Sequence, residues 1–125
     1  MAALTLKTVV LGVDDMARAV AFWTEALGYV AESGEDAEWW TTLRPADGDG
    51  PRLGLQLSES PVPDRPRVHV DLFTPDTTAQ VEEVDRLVGL GARRVEWDLY
   101  PDDPDFIVLA DTEGNLFCVI DDSHP

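Results

Sequence analysis

One order of pattern and punctuation runs through this chain twice, and nothing else in it limits the fold so tightly. A first alternating strand over Leu6–Val13 contains Thr8-Val9-Val10-Leu11, and a second over Val68–Phe73 contains His69-Val70-Asp71-Leu72. Each is followed by apolar residues at helical spacing. Met16, Ala19, Val20, Trp23 and Leu27 predict a helix over 15–27, and Val81, Val84, Leu87 and Val88 predict one over 77–89. Both helices run into a Leu-Gly pair, Leu27-Gly28 and Leu90-Gly91, where glycine supplies the left-handed conformation of a helix end. Three strands follow in each pass: Tyr29–Glu32, Glu38–Leu43 and Leu53–Leu57, then Arg94–Trp97, Phe106–Ala110 and Leu116–Ile120. The chain therefore reads as a duplicated βαβββ unit. Repeat one covers 4–59 and repeat two 67–122, joined by a linker at 60–66 within a single domain of 125 residues.

Local signals agree with those limits. Asp14-Asp15 offers an N-cap to the first helix, and Thr77 with Gln80 three residues on has the form of a capping box for the second. Pro61, Pro63 and Pro66 stiffen the linker. A four-stranded sheet with one apolar face under a helix keeps a second face for use. Two such sheets side by side predict an α+β fold, a cup-shaped mixed sheet with helices outside.

Strand parity says which residues face the cup. In Arg67–Phe73, Val68, Val70 and Leu72 point to the helix, and Arg67, His69 and Asp71 point the other way. Thr8, Gly54, Gln56 and Cys118 take cup-facing positions on their own strands. Apart from His124, next to last in the chain, His69 is the only histidine, so metal or acid–base chemistry would pass through it. It supports two readings: a polar residue hydrogen-bonded to Asp71, Gln56 or a carbonyl, or a group that contacts a ligand or moves a proton. Cys118 reads as a small buried residue, since its neighbours Phe117, Val119 and Ile120 offer nothing to lower a thiol pKa. Trp39 and Trp40 are consecutive, so one must face away from the helix-packed core. Trp97 ends the matching strand of repeat two. These indoles beside acidic residues suit a flat or cationic ligand, or line a dimer interface.

Charge narrows the partners. The 25 acidic residues against 9 basic ones give a formal −16, which excludes a general nucleic-acid binder and disfavours anionic membrane surfaces. It favours cations near any cleft, or serves solubility alone. One cysteine rules out an internal disulfide and fits a reducing compartment. The start Met1–Lys7 lacks the basic and apolar runs of a signal peptide, and no stretch approaches a membrane span, so a cytoplasmic protein is expected.

Val9-Val10-Leu11-Gly12-Val13-Asp14-Asp15-Met16, continuing to Phe22-Trp23 and Leu27-Gly28-Tyr29, resembles the first repeat of the glyoxalase/bleomycin-resistance/dioxygenase (vicinal oxygen chelate) superfamily. Arg67-Val68-His69-Val70-Asp71-Leu72 resembles the opening of its second repeat, and Asp111-Thr112-Glu113-Gly114-Asn115-Leu116-Phe117-Cys118-Val119 its closing turn and strand. The resemblance implies a fold that hosts lyases, isomerases, dioxygenases and pure binders. It also implies four ligand positions in the metal-using members, held here by Thr8, Gln56, His69 and Cys118. Thr8 is a poor metal ligand and Gln56 a weak one, and Asp71 stands a full pleat, roughly 6–7 Å, from His69 along its strand. No metal and no other cofactor is expected. The expected function is metal-free binding of a small organic molecule, flat or cationic, such as an antibiotic, by a homodimer. Its ligand contacts would be His69, Gln56, Asp71, Thr8, Trp39, Trp40, Trp97 and Cys118. The alternative is a glyoxalase-type lyase or isomerase using His69 as its catalytic candidate, with or without a divalent metal.

Overall fold

Asp15 stops one element and starts the next. It follows β1 (Thr8–Val13) in an extended conformation, and its carboxylate accepts the Arg18 N–H at 3.0 Å, which caps α1 (Met16–Leu27). Gly28, at φ 67°, ends the helix. The chain then forms β2 (Tyr29–Glu32), β3 (Trp40–Pro45) and β4 (Arg52–Leu57). These residues belong to a computed structural model that describes residues 2–32 and 37–125 and divides into two units, Met1–Ser60 and Pro61–Pro125. In the first unit the sheet order is β1-β4-β3-β2, with β1 parallel to β4 and the other pairs antiparallel. Helix α1 buries Ala19, Phe22, Trp23 and Ala26 against it. Phe22 and Trp23 meet edge to face with ring centroids 5.0 Å apart, and Trp23 is 1% exposed. Truncating Trp23 to alanine would cost about 3–5 kcal/mol.

The second unit repeats the order. It consists of β5 (Val70–Thr74), α2 (Thr77–Leu90), β6 (Arg93–Arg94), β7 (Phe106–Ala110) and β8 (Leu116–Asp121). The sheet order is β5-β8-β7-β6, with β5 parallel to β8. Among the described residues the fold is therefore α+β, two four-stranded mixed sheets each carrying one helix, as the duplicated pattern predicts.

Four local expectations need correction. The N-cap of α2 is Asp76, not Thr77: its carboxylate accepts the Ala79 N–H at 2.8 Å, while the Thr77 hydroxyl donates to Asp121 Oδ2 at 2.6 Å. Gln80 closes no capping box. It is buried, and its amide donates to the carbonyls of Asp105 and Val119, both at 3.0 Å, stitching α2 to the sheet beneath it. Strand β5 begins at Val70, so Val68 lies before the ladder and is 75% exposed, not packed under a helix. Strand β6 holds only Arg93 and Arg94, because Val95 to Trp97 leave the edge of the sheet. Strand β3 likewise starts two residues later than expected, at Trp40. The Asp111–Asn115 turn closes as its sequence suggests: Asp111 is buried, and its carboxylate accepts the N–H groups of Glu113 and Asn115 at 2.9 Å each.

Candidate functional site

In the second unit the sheet face away from α2 is built from alternate residues of three strands. Register places Asp71 beside Cys118 and Cys118 beside Val108, then Phe73 beside Ile120 and Ile120 beside Phe106. Val108, Cys118 and Ile120 are buried. They are covered by the irregular run between β6 and β7, whose Val95, Trp97 and Tyr100 pack on them together with Phe106 and Leu116. Tyr100 fixes this run from within: its hydroxyl accepts the Val108 N–H at 2.7 Å, and its ring lies 5.2 Å from that of Phe106. His124 ties the run further along, with Nε2 3.0 Å from Asp103 Oδ2. That bond to Asp103 is the main cause that raises His124 above the ordinary histidine value.

Between this covering run and β5 lies a cavity of about 630 Å³. Its walls are largely apolar and aromatic, with Trp97, Leu99, Phe106 and Phe73 prominent. Its polar groups are His69, Asp71, Asp105 and Cys118, and no arginine or lysine lines it. His69 Nε2 stands 3.0 Å from Asp71 Oδ1. Cys118 donates its thiol proton to the same carboxylate, and the ligand atoms of His69, Asp71 and Cys118 all lie within 4.8 Å of one another. Asp71 is thus the hub of the cluster. Burial first, and then the charge and hydrogen bond of Asp71 with a contribution from Asp105, push the Cys118 thiol up to about 11. A thiol held in that state is neither an anion nor a nucleophile near neutral pH.

Four of the residues expected to contact a ligand, His69, Asp71, Trp97 and Cys118, are therefore brought together in the second unit. The expectation that Asp71 stands a pleat away from His69 is corrected. His69 precedes β5 and is free of the ladder, and its imidazole reaches along the chain to the carboxylate two residues on. Thr8, Gln56, Trp39 and Trp40 belong to the first unit. There Trp40 takes the sheet face away from α1, its indole N–H donating to Thr42 Oγ1 at 2.9 Å. Gly54 makes room for it: a Cβ on Gly54 would meet the Trp40 ring at 2.9 Å and the Thr8 methyl at 3.3 Å. Gln56 pairs with Trp40 across the ladder and is exposed, and Trp39 lies in the preceding turn, 65% exposed. Asp105, Phe73 and Leu99 are cavity residues that the sequence reading did not select. The parity of β7 and β5 places Phe106 and Phe73 on this face, but nothing in the Pro-rich run announces that Leu99 and Asp105 fold over it.

The family model described as "Glyoxalase-like domain" matches residues 8–120. Among solved structures, a possible glyoxalase from Bacillus cereus superposes with a TM-score of 0.70 at 18% identity, covering 94% of this chain and 99% of that one. A glyoxalase/bleomycin resistance protein/dioxygenase family enzyme from Burkholderia phytofirmans has a TM-score of 0.71 at 15% identity, covering 93% and 97%. A variant of the fosfomycin resistance protein FosX from Listeria monocytogenes, complexed with Mn(II) and a dihydroxypropylphosphonic acid, has a TM-score of 0.70 at 17% identity, covering 96% and 90%. No curated protein matches the sequence. Among the described residues, no helix is long and apolar enough to cross a membrane.

Proposed function

The chain belongs to the glyoxalase-like domain family, whose fold is compatible with many chemistries, and from that premise we propose that it binds a small cationic organic molecule in the second-unit cavity without a metal. The observation that carries this reading is the cavity itself: aromatic walls, two carboxylates, and, among the described residues, no arginine or lysine in its lining. A flat or partly aromatic body stacks against Trp97 and Phe106, and an ammonium group takes the place between Asp71 and Asp105.

The metal of the FosX complex is a hard cation, which selects oxygen donors. The donor set of the second-unit cluster is one imidazole, one carboxylate and one protonated thiol. That set does not fit such an ion, and no step is derived through one. The proximity of His69, Asp71 and Cys118 favours one second reading, a zinc-type site, since zinc accepts nitrogen, oxygen and sulfur ligands together. It would have to remove the proton from a thiol pushed up to about 11 and break both hydrogen bonds to Asp71. Elemental analysis of purified protein decides between the two: about one zinc per chain, lost on His69→Ala, overturns metal-free binding.

Ligand charge tests the main reading. Phenylalkylamines, the equal-length neutral phenylalkanols and the corresponding phosphonates are titrated against intrinsic tryptophan fluorescence at low and high salt. The amine binds best and the phosphonate worst, with the gap narrowing as the Debye length falls from about 10 Å at 0.1 M to about 3 Å at 1 M. A phosphonate that outbinds its amine at every salt concentration refutes it. The exposed Trp39 of the first unit is read as a contact of a homodimer, which a sedimentation mass of a single 13.8 kDa chain would refute.

A further inference from the structure

A second cavity, of about 730 Å³, adjoins the first and shares Trp97 and Leu116 with it. Sheet register decides which charged group of β6 reaches it. Arg93 pairs with Ala110 and Ala110 with Leu116, so the three form one row on the face away from α2. Arg94, one residue on, points to the other face and binds Asp85 of α2, Nη2 to Oδ1 at 3.1 Å. The remaining walls are the linker from Val62 to Arg65, the run from Val95 to Asp98, and the turn at Gly114. A Cβ placed on Gly114 would lie 3.6 Å from Val62 Cγ2, so the linker packs against the turn.

Charged side chains of both signs line this space: Asp64, Arg65, Arg93, Glu96 and Asp98. Two of them satisfy each other. Arg65 Nη2 donates to both oxygens of Asp98, at 2.8 and 2.7 Å, and the same guanidinium lies 5.8 Å from the centre of the Trp97 ring. Among the described residues, the side chains of Arg93, Asp64 and Glu96 have no ion-pair or hydrogen-bond partner. One positive and two negative groups thus stand open around an apolar surface of Val95, Trp97 and Leu116. That surface is fixed, because all three pack on the buried Val108, Cys118 and Ile120. A simple anion meets Asp64 and Glu96 as well as Arg93, and a simple cation meets Arg93. A molecule that carries both charges satisfies both signs at once.

We propose that this second cavity binds a small zwitterion of the amino-acid type with an apolar side chain. The carboxylate takes the Arg93 guanidinium, whose planar fork matches it in two parallel hydrogen bonds. The ammonium takes Glu96 and Asp64, and the side chain lies on Val95, Trp97 and Leu116. The charged groups are exposed, so each contact is worth a few-fold in affinity and weakens with salt. The two cavities share no charged residue, so this site stands or falls apart from cation binding in the first.

Four ligands with one side chain separate the charges: leucine, leucinamide as the cation, N-acetylleucine as the anion and N-acetylleucinamide as the neutral form. Each is titrated at low salt and followed by amide NMR, with affinities read at Gly114. Leucine binds best of the four. It moves the amides of Gly114 and Val62, which line only this cavity, rather than those of Val108 and Cys118, which line only the other. Arg93→Gln weakens leucine and N-acetylleucine by about fivefold and leaves leucinamide unchanged. The double variant Asp64→Asn/Glu96→Gln weakens leucine and leucinamide by a similar factor and N-acetylleucine not at all. Both variants alter exposed side chains, and the unaffected ligand in each reports that the cavity is intact. Leucine that binds no better than N-acetylleucinamide, an Arg93→Gln loss equal for all four ligands, or no shift at Gly114 and Val62 with any of them overturns the zwitterion site. Shifts confined to Val108 and Cys118 also overturn it, and leave cation binding in the first cavity standing.

Discussion

Replacing Asp71 by asparagine separates charge from shape at the centre of the site. The substitution is isosteric, keeps an acceptor for the His69 Nε2–H, and removes one of the two negative charges that line the cavity. An ammonium about 4 Å from the carboxylate would gain about 1 kcal/mol at the dielectric of water and about 4 kcal/mol at an effective value of 20. Asp71 is 41% exposed at its side chain, so solvent screens the interaction and the lower figure applies. The expected loss is about 1 kcal/mol, roughly a fivefold weaker affinity for a phenylalkylamine at 0.1 M salt. The neutral phenylalkanol of the same length should bind unchanged. Calorimetry of both ligands against both proteins reads this directly.

The same variant carries an internal control. In the wild type a thiol at about 11 is only about 0.1% thiolate at pH 8, so iodoacetamide should label Cys118 about a hundredfold more slowly than a thiol at the ordinary value of 9.0. With Asp71 neutralised the thiol pKa falls, though burial, the largest cause, still holds it up, and labelling accelerates. Equal losses for amine and alkanol, or no loss for the amine together with faster labelling, would refute the argument that Asp71 recognises positive charge.

Three further outcomes follow from the packing. Gln80→Leu removes two hydrogen bonds from a buried position and should destabilise the fold by about 1–3 kcal/mol, seen as a lower urea midpoint with an unchanged slope; a midpoint within error of wild type would mean that the two carbonyls need no donor. Gly54→Ala places a Cβ 2.9 Å from the Trp40 ring, so the indole must shift from its bond to Thr42, with a change in tryptophan emission and a loss of about 1 kcal/mol; an unchanged spectrum counts against the contact. Asp121 is held below the usual carboxylate range by the hydroxyl of Ser123 and then by that of Thr77. Its folded value is depressed, so the stability it contributes is present above 3.8 and is lost as pH falls below that value. Asp121→Asn should therefore flatten the acid limb of a melting-temperature profile, and an unaltered limb would place the acid sensitivity elsewhere.

Much of the fold was legible because it is local. The bounds of α1, its cap at Asp15 and its end at Gly28 follow from periodicity and from two residues whose backbone preferences are strong. Alternation along β5 and β8 assigned Asp71 and Cys118 to one face, since side-chain direction in a strand depends only on parity, whereas His69, just ahead of β5, reaches that face through its side chain. Propensity overreached where a pattern continued past the element that used it. Thr77 and Gln80 have the spacing of a capping box, yet Asp76 caps and Gln80 is drawn to two carbonyls of the sheet. Val95 to Trp97 alternate like a strand, yet among the described residues none pairs with them along that edge, and the segment turns over the sheet face.

What only the tertiary structure decided is the chemistry of the cluster. The register of β5 on β8 sets Asp71 against Cys118, and no spacing within either strand specifies that offset. The burial that pushes up the thiol comes from a covering segment whose path is set by Tyr100 on Val108 and His124 on Asp103, contacts between residues far apart or without periodicity. Periodicity tells each residue which way to face. What it meets there is fixed by packing between elements, where distances of an ångström or two decide whether a carboxylate is a solvated charge or the hub of a site.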